Sequence, residues 1–126
     1  MTPENDTKLC ETYPKIFSDA RADPKSCMSY GFECQDGWLT LIDSLCAKIQ
    51  KHCDETGCEQ VVARQVKEKF GGLRFYHSGG DDSVMRMIDE AEQESFRVCE
   101  MCGAAGSTKP SKRGWIRTMC DQCQNG

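Results

Sequence analysis

The stretch Cys99–Cys123 reads CEMCGAAGSTKPSKRGWIRTMCDQC, and its two CxxC pairs are separated by 17 residues. That spacing is the pattern of a four-thiolate zinc site, because each CxxC knuckle can aim two sulfurs at one ion. Gly103 supplies the permissive backbone that a tight knuckle needs, whereas the pair Cys120 and Cys123 has no following glycine. Between the pairs lie a turn-rich segment, Gly106 to Gly114, and an alternating run, Trp115 to Met119, that suits a strand. Only three residues follow Cys123, so a zinc ribbon or zinc hairpin is expected rather than a treble clef with a long closing helix. The competing reading, two disulfides or a redox pair, is less consistent with the paired spacing. A Zn2+ ion in four thiolates carries a net charge of minus two, which Lys109, Lys112, Arg113 and Arg117 lie close enough in sequence to offset. Such a site is closed, so one structural zinc is expected, folding the tail without catalysing a reaction.

Working outward, the chain has 126 residues and a formal charge of −4. The charge is uneven: residues 1–96 hold 11 basic and 18 acidic side chains, and residues 97–126 hold 5 and 2. An acidic body with a basic tail argues against a general nucleic-acid coat and leaves the tail as a candidate phosphate contact. The chain holds ten cysteines, yet its start, MTPENDTKLC, has no apolar segment of the secretory type. No run is long enough to span a membrane. A reducing cytosol is therefore expected, with Cys10, Cys27, Cys34, Cys46, Cys53 and Cys58 as thiols behaving mostly as small hydrophobes. A second metal site would draw on His52, Cys53 and Cys58, with His77 as a further candidate, but their spacing matches no established ligand pattern.

The body reads as helices over about 6–20, 37–53 and 83–96 with a hairpin over about 60–77, giving an α+β body (1–96) and a zinc-ribbon module (97–126). Asp6 is a candidate cap for the first helix, whose Leu9, Tyr13 and Phe17 form a core-facing stripe interrupted near Pro14. Residues 21–37 read as a loop that Tyr30 and Phe32 anchor. In the second helix Asp36 is placed as the cap, Trp38, Leu41, Ile42, Leu45 and Ile49 as the buried face, and Gly57 as the stop. Asp81 and Asp82 read as capping charge for the third, with Val84, Met87, Ile88 and Ala91 inward. The hairpin is expected to turn on Gly71 and Gly72, which sets Lys69 opposite Arg74 and Lys67 opposite Tyr76. Val62, Val66, Phe70, Leu73 and Phe75, with Arg64 and Glu68 among them, then face the core. Gln65, Lys67, Lys69, Arg74 and Tyr76 face outward, as a solvated surface or as an anion and base contact.

The segments GFECQDGWLTLIDSLC, QVVARQVKEKFGGLRFYHSGGDD, CEMCGAAG and GWIRTMCDQC resemble those of a family of small proteins encoded by tailed bacteriophages and prophages. The likeness covers most of residues 10–123 and implies a phage accessory protein in a bacterial cytoplasm; it supplies no active site. In similar proteins the last metal position can be histidine, where this chain has Cys123. Only His52 and His77 are available as neutral-pH proton carriers, so an enzyme or small-nucleotide binder is the weakest expectation. A protein that binds and modulates a host complex of transcription or antiviral defence is the leading one. Nucleic-acid binding through Lys109, Lys112, Arg113, Trp115 and Arg117, helped by Lys67, Lys69, Arg74 and Tyr76, is the alternative.

Overall fold

A computed structural model describes residues 1–19 and 27–124. The loop expected over 21–37 falls partly on residues 20–26, outside the described residues. The first helix, α1 (Pro3–Thr12), starts earlier and ends earlier than expected. Thr2 is the cap, its hydroxyl accepting from the Asn5 N–H, and Pro3 sits where its missing N–H costs nothing. The helix stops because Pro14 disfavours helical geometry at Tyr13, which has φ −124° and ψ 65°. Asp6 does not cap; its carboxylate accepts from the Phe32 N–H at 3.0 Å and ties α1 to the segment beyond the loop. Leu9 and Phe17 are buried, and Phe17 meets Phe32 edge-on with ring centroids 5.0 Å apart. Tyr30, the other expected anchor, is exposed.

A 3-10 turn at Asp36–Trp38 leads into α2 (Leu39–Thr56). Asp36 is unavailable as its cap because Thr2 N and Asn5 Nδ2 donate to its carboxylate at 2.9 and 3.1 Å. Trp38, Leu41, Ile42, Leu45 and Ile49 are all buried, and Cys46 and Cys53 complete the stripe as small apolar groups. Gly57, at φ 71°, closes the helix in the left-handed conformation.

Strands β1 (Val62–Lys69) and β2 (Gly72–Ser78) pair antiparallel, with the turn one residue earlier than expected and the cross-strand partners nearest it consequently shifted by two. The two-residue turn is Phe70–Gly71, at φ 52° and 86°, not Gly71–Gly72. Gly72 is needed elsewhere: a Cβ there would lie 2.5 Å from the Phe96 ring, so the glycine serves close packing and Phe70 takes the strained turn position. Lys69 therefore faces Gly72, and Arg74 faces Lys67. A bulge between Ala63 and Gln65 shifts the alternation, so Val61 and Ala63 are buried, Val62 is only half-buried, and Arg64 turns outward to Asp19 and Ser78. Phe70 is exposed, while Val66, Leu73 and Phe75 are in the core as expected. Glu33 adds a short parallel bridge to β1 at Lys67.

Helix α3 (Asp82–Ser95) is capped by Asp81, whose carboxylate accepts from Val84 N–H, and it buries Val84 and Ala91 against the core. Ser95 Oγ accepts from Leu73 N–H at 2.9 Å, fixing α3 to β2. The tail forms β3 (Ser107–Pro110), β4 (Ile116–Met119) and the short α4 (Asp121–Gln124). Among the described residues the result is an α+β fold of four α-helices and two antiparallel hairpins. No helix among the described residues is long and apolar enough to cross a membrane.

Trp38 lies at the centre of this packing, fully buried and donating its indole N–H to Val98 O at 2.9 Å. Trp38→Ala is expected to cost about 3 kcal/mol or more in a denaturant melt, through cavity and lost hydrogen bond together. Exposed Glu94 gives the contrast: Glu94→Ala is expected to stay within about 0.5 kcal/mol.

Candidate metal centre

The four sulfurs of Cys99, Cys102, Cys120 and Cys123 converge from two differently built knuckles, each ligand atom within 4.8 Å of the others. In the first, Val98 bridges Ala105, Gly103 N–H donates to Cys99 O at 2.9 Å, and Gly103 has φ 84°. The second has no glycine and turns by entering α4, with Cys123 N–H directed at Cys120 Sγ at 3.4 Å. Strands β3 and β4, in the register Ser107↔Met119 to Pro110↔Ile116, bring the knuckles together. Tetrahedral coordination at a metal–sulfur length of about 2.3 Å places sulfurs roughly 3.8 Å apart. Cys102 and Cys120 stand at 3.6 Å, well beyond the ~2.05 Å of a disulfide. The four thiolates are therefore set to hold one metal ion.

Electrostatics favour the same conclusion. Burial raises the Cys99 thiol, but the N–H groups of Cys120, Cys102 and Met101 outweigh it and hold the thiol at about 6. Donation from its S–H to the crowded sulfurs of Cys120 and Cys102, with burial, pushes Cys123 up to about 12. Four neighbouring sulfurs cannot all ionise until a cation neutralises them. Of the basic side chains expected to help, Lys112, Arg113 and Arg117 line a surface hollow with Cys123, and Arg117 is also paired with Glu100, with Nη2–Oε1 at 3.3 Å; Lys109 is exposed.

Glu100 is the functional residue that sequence reasoning missed, because it occupies a spacer position inside CxxC. It is 2% exposed, and its carboxylate accepts from Gln35 N–H at 3.1 Å as well as from Arg117. Burial holds its carboxyl above the usual range, with Arg117 acting in the opposite direction. Its backbone O accepts from Gly37 N–H at 2.8 Å, and a Cβ on Gly37 would lie 2.2 Å from Cys99 O. Thr118 Oγ1 donates to Gly71 O at 2.6 Å, and Thr108 Oγ1 to Phe96 O at 2.9 Å. The first knuckle and the ribbon hairpin are thus seated directly on the body.

The expected contact residues divide. Arg74 is held by Glu92 at 2.9 Å, Lys67 faces it across the hairpin, and Tyr76 lies opposite Gln65. Lys69 lies over the Phe70 ring at 5.8 Å and, with Trp115 and Arg117, lines a cleft between hairpin tip and ribbon. Of the residues weighed for a second cluster, His52 and Cys58 do come together, but with Asp81; His77 instead sits opposite Ala63 in the hairpin.

Gly37→Ala is expected to weaken metal retention about tenfold, because the added methyl displaces the backbone of the Cys99 knuckle. Competition with a chromogenic chelator under reducing conditions measures it. Unchanged retention would show that the knuckle closes independently of the body.

Comparison with known protein families, characterised proteins and solved structures finds no match for this chain.

Proposed function

We propose that this chain is a non-enzymatic zinc protein that docks a protein partner, its Cys99, Cys102, Cys120 and Cys123 holding one structural Zn2+. Four thiolates in tetrahedral spacing suit zinc and leave no coordination position for substrate. The observation that carries the docking reading is a cleft of about 590 Å³ between the Phe70–Gly71 turn and the ribbon. Phe70 and Trp115 stand on it 66% and 72% exposed, with Ile116 beside them, and Glu33 and Glu68 line it together with Lys69 and Arg117, the last paired with Glu100. Exposed aromatics around a concave surface of mixed charge suit a partner that offers an apolar anchor flanked by charged and polar groups. The resemblance to phage proteins makes that partner a host complex of transcription or antiviral defence, which the chain binds and modulates.

Capture by the tagged, zinc-loaded chain from nuclease-treated bacterial lysate tests this. The double variant Phe70→Ala/Trp115→Ala is expected to keep its zinc and its melt and to lose partner affinity roughly 30-fold or more, since two anchor residues are gone. Undiminished capture by that variant would refute the cleft as the docking surface.

Nucleic-acid binding keeps one observation in its favour: Lys109, Lys112, Arg113 and Trp115 are exposed together on the ribbon hairpin. Arg74 and Arg117, by contrast, are already paired with carboxylates. A binding constant that falls steeply with salt, and flattens in a Lys109→Gln/Lys112→Gln/Arg113→Gln variant, would favour this second reading.

A further inference from the structure

A second cluster forms where the end of α2 and the residues just after Gly57 meet the entry to α3. Gly57 reverses the chain at φ 71°, and Gly79 and Gly80, at 77° and 84°, turn the entry to α3. Backbone holds these loops together, with Gly80 N–H donating to Glu59 O at 2.8 Å and no room for a Cβ on Gly79, which would lie 2.1 Å from Gln60 O. The built result is a mixed donor set. His52 Nε2 lies 2.8 and 3.0 Å from the two oxygens of Asp81, and Cys58 Sγ joins them so that the three ligand atoms are within 4.8 Å of one another.

A His–Asp pair alone would account for the first two residues. It leaves out the half-buried Cys58 thiol, which donates to Cys53 Sγ at 3.5 Å and still lies within 4.8 Å of both ligand atoms. An imidazole nitrogen, a thiolate and a carboxylate are together the donor set of a borderline divalent ion such as zinc, and a poor one for magnesium or calcium, which take oxygen. Around an ion at about 2.0–2.3 Å such atoms stand roughly 3.3–3.8 Å apart, so the imidazole and carboxylate need separate only slightly to admit one.

We propose that His52 Nε2, Cys58 Sγ and one Asp81 carboxylate oxygen form a second metal site, for Zn2+ or a divalent ion of similar softness. Its fourth position faces solvent on the side of the exposed Asp81. Binding releases the Cys58 proton to solvent, moves the Nε2 proton that His52 shares with Asp81 to Nδ1 or to solvent so that the Nε2 lone pair is free, and cross-links the end of α2 to the cap of α3. With three mixed ligands the site holds its ion less tightly than the closed tetrathiolate. It goes beyond the docking reading above and does not depend on it.

Native mass spectrometry of the full chain, loaded with Zn2+ under reductant and then titrated with chelator, tests the site. Two zinc ions per chain are expected, one stripped at a lower chelator concentration. Cys58→Ser and His52→Gln are each expected to lose that labile equivalent and to keep the other, with a melt confirming the fold. Cobalt substitution gives a second readout, since the thiolate-to-metal absorption from Cys58 disappears in Cys58→Ser. Three results overturn the proposal. One is a single equivalent at saturating zinc in the unsubstituted chain. Another is a labile equivalent that survives both substitutions, which marks an adventitious ion. The third is a Cys53–Cys58 disulfide that persists under reductant with one zinc bound, which the 3.5 Å between those sulfurs makes a real competitor.

Discussion

The close approach of Gly37 to the Cys99–Glu100 backbone is the constraint on which the rest of the structure depends. A Cβ at Gly37 would lie 2.2 to 2.5 Å from the Cys99 and Glu100 backbone, so the first knuckle is seated against the start of α2 without an intervening side chain. Trp38, the next residue, fills the core and donates to Val98 just before the knuckle. Metal binding and core packing thereby share one short stretch of chain. Ordering the knuckle positions the acceptor that Trp38 uses, and burying Trp38 positions the backbone that carries Cys99. Each lowers the entropy cost of the other, as expected when binding free energy is also folding free energy.

The hairpin shows how packing overrides a local preference. Gly71–Gly72 is the natural choice for a turn needing positive φ at two positions, and local propensity alone would select it. Phe96 occupies the space that any side chain at position 72 would need. The turn moves back by one residue, the cross-strand partners nearest it shift by two, and Phe70 accepts φ 52°. Glu68 supports the strained turn by accepting from Gly71 N–H at 2.7 Å, and Thr118 supports it from the ribbon through Gly71 O. An aromatic side chain is consequently held on an exposed turn beside Trp115. Strain tolerated at a supported position, with its side chain directed outward, is the arrangement found where a surface has a use.

The same comparison explains what the sequence discloses and what it hides. The four ligands are readable because CxxC spacing expresses a chemical requirement local to the chain. The buried stripe of α2 and the stop at Gly57 are readable because helical period and left-handed termination are local as well. Asp36 and Asp6 mislead for one shared reason: each looks like a free cap, and each is consumed by a partner more than 25 residues away in sequence. The bulge at Arg64 is likewise invisible to strict alternation, which assigns Val62 to the core in place of Ala63. Asp81 shows the opposite case. Its capping role is local and visible, whereas its contact with His52, 29 residues away, emerges only from the fold.

Glu100 completes the physical argument. A carboxylate buried to this degree is expensive unless its charge is met, and Arg117 with the Gln35 N–H meets it only in part, since burial still holds the group above its ordinary range. An apolar residue at this position would fill the space without that cost and keep the backbone bond from Gly37, but it would lose the two links made by the carboxylate. Glu100 links the loop before α2 through Gln35, the start of α2 through Gly37, and β4 through Arg117. It does so from between two metal ligands. The charge at position 100 therefore trades stability for geometry: with the bonds from Thr118 to Gly71 and from Thr108 to Phe96, it holds the ribbon against the body beside the cleft that Phe70 and Trp115 line.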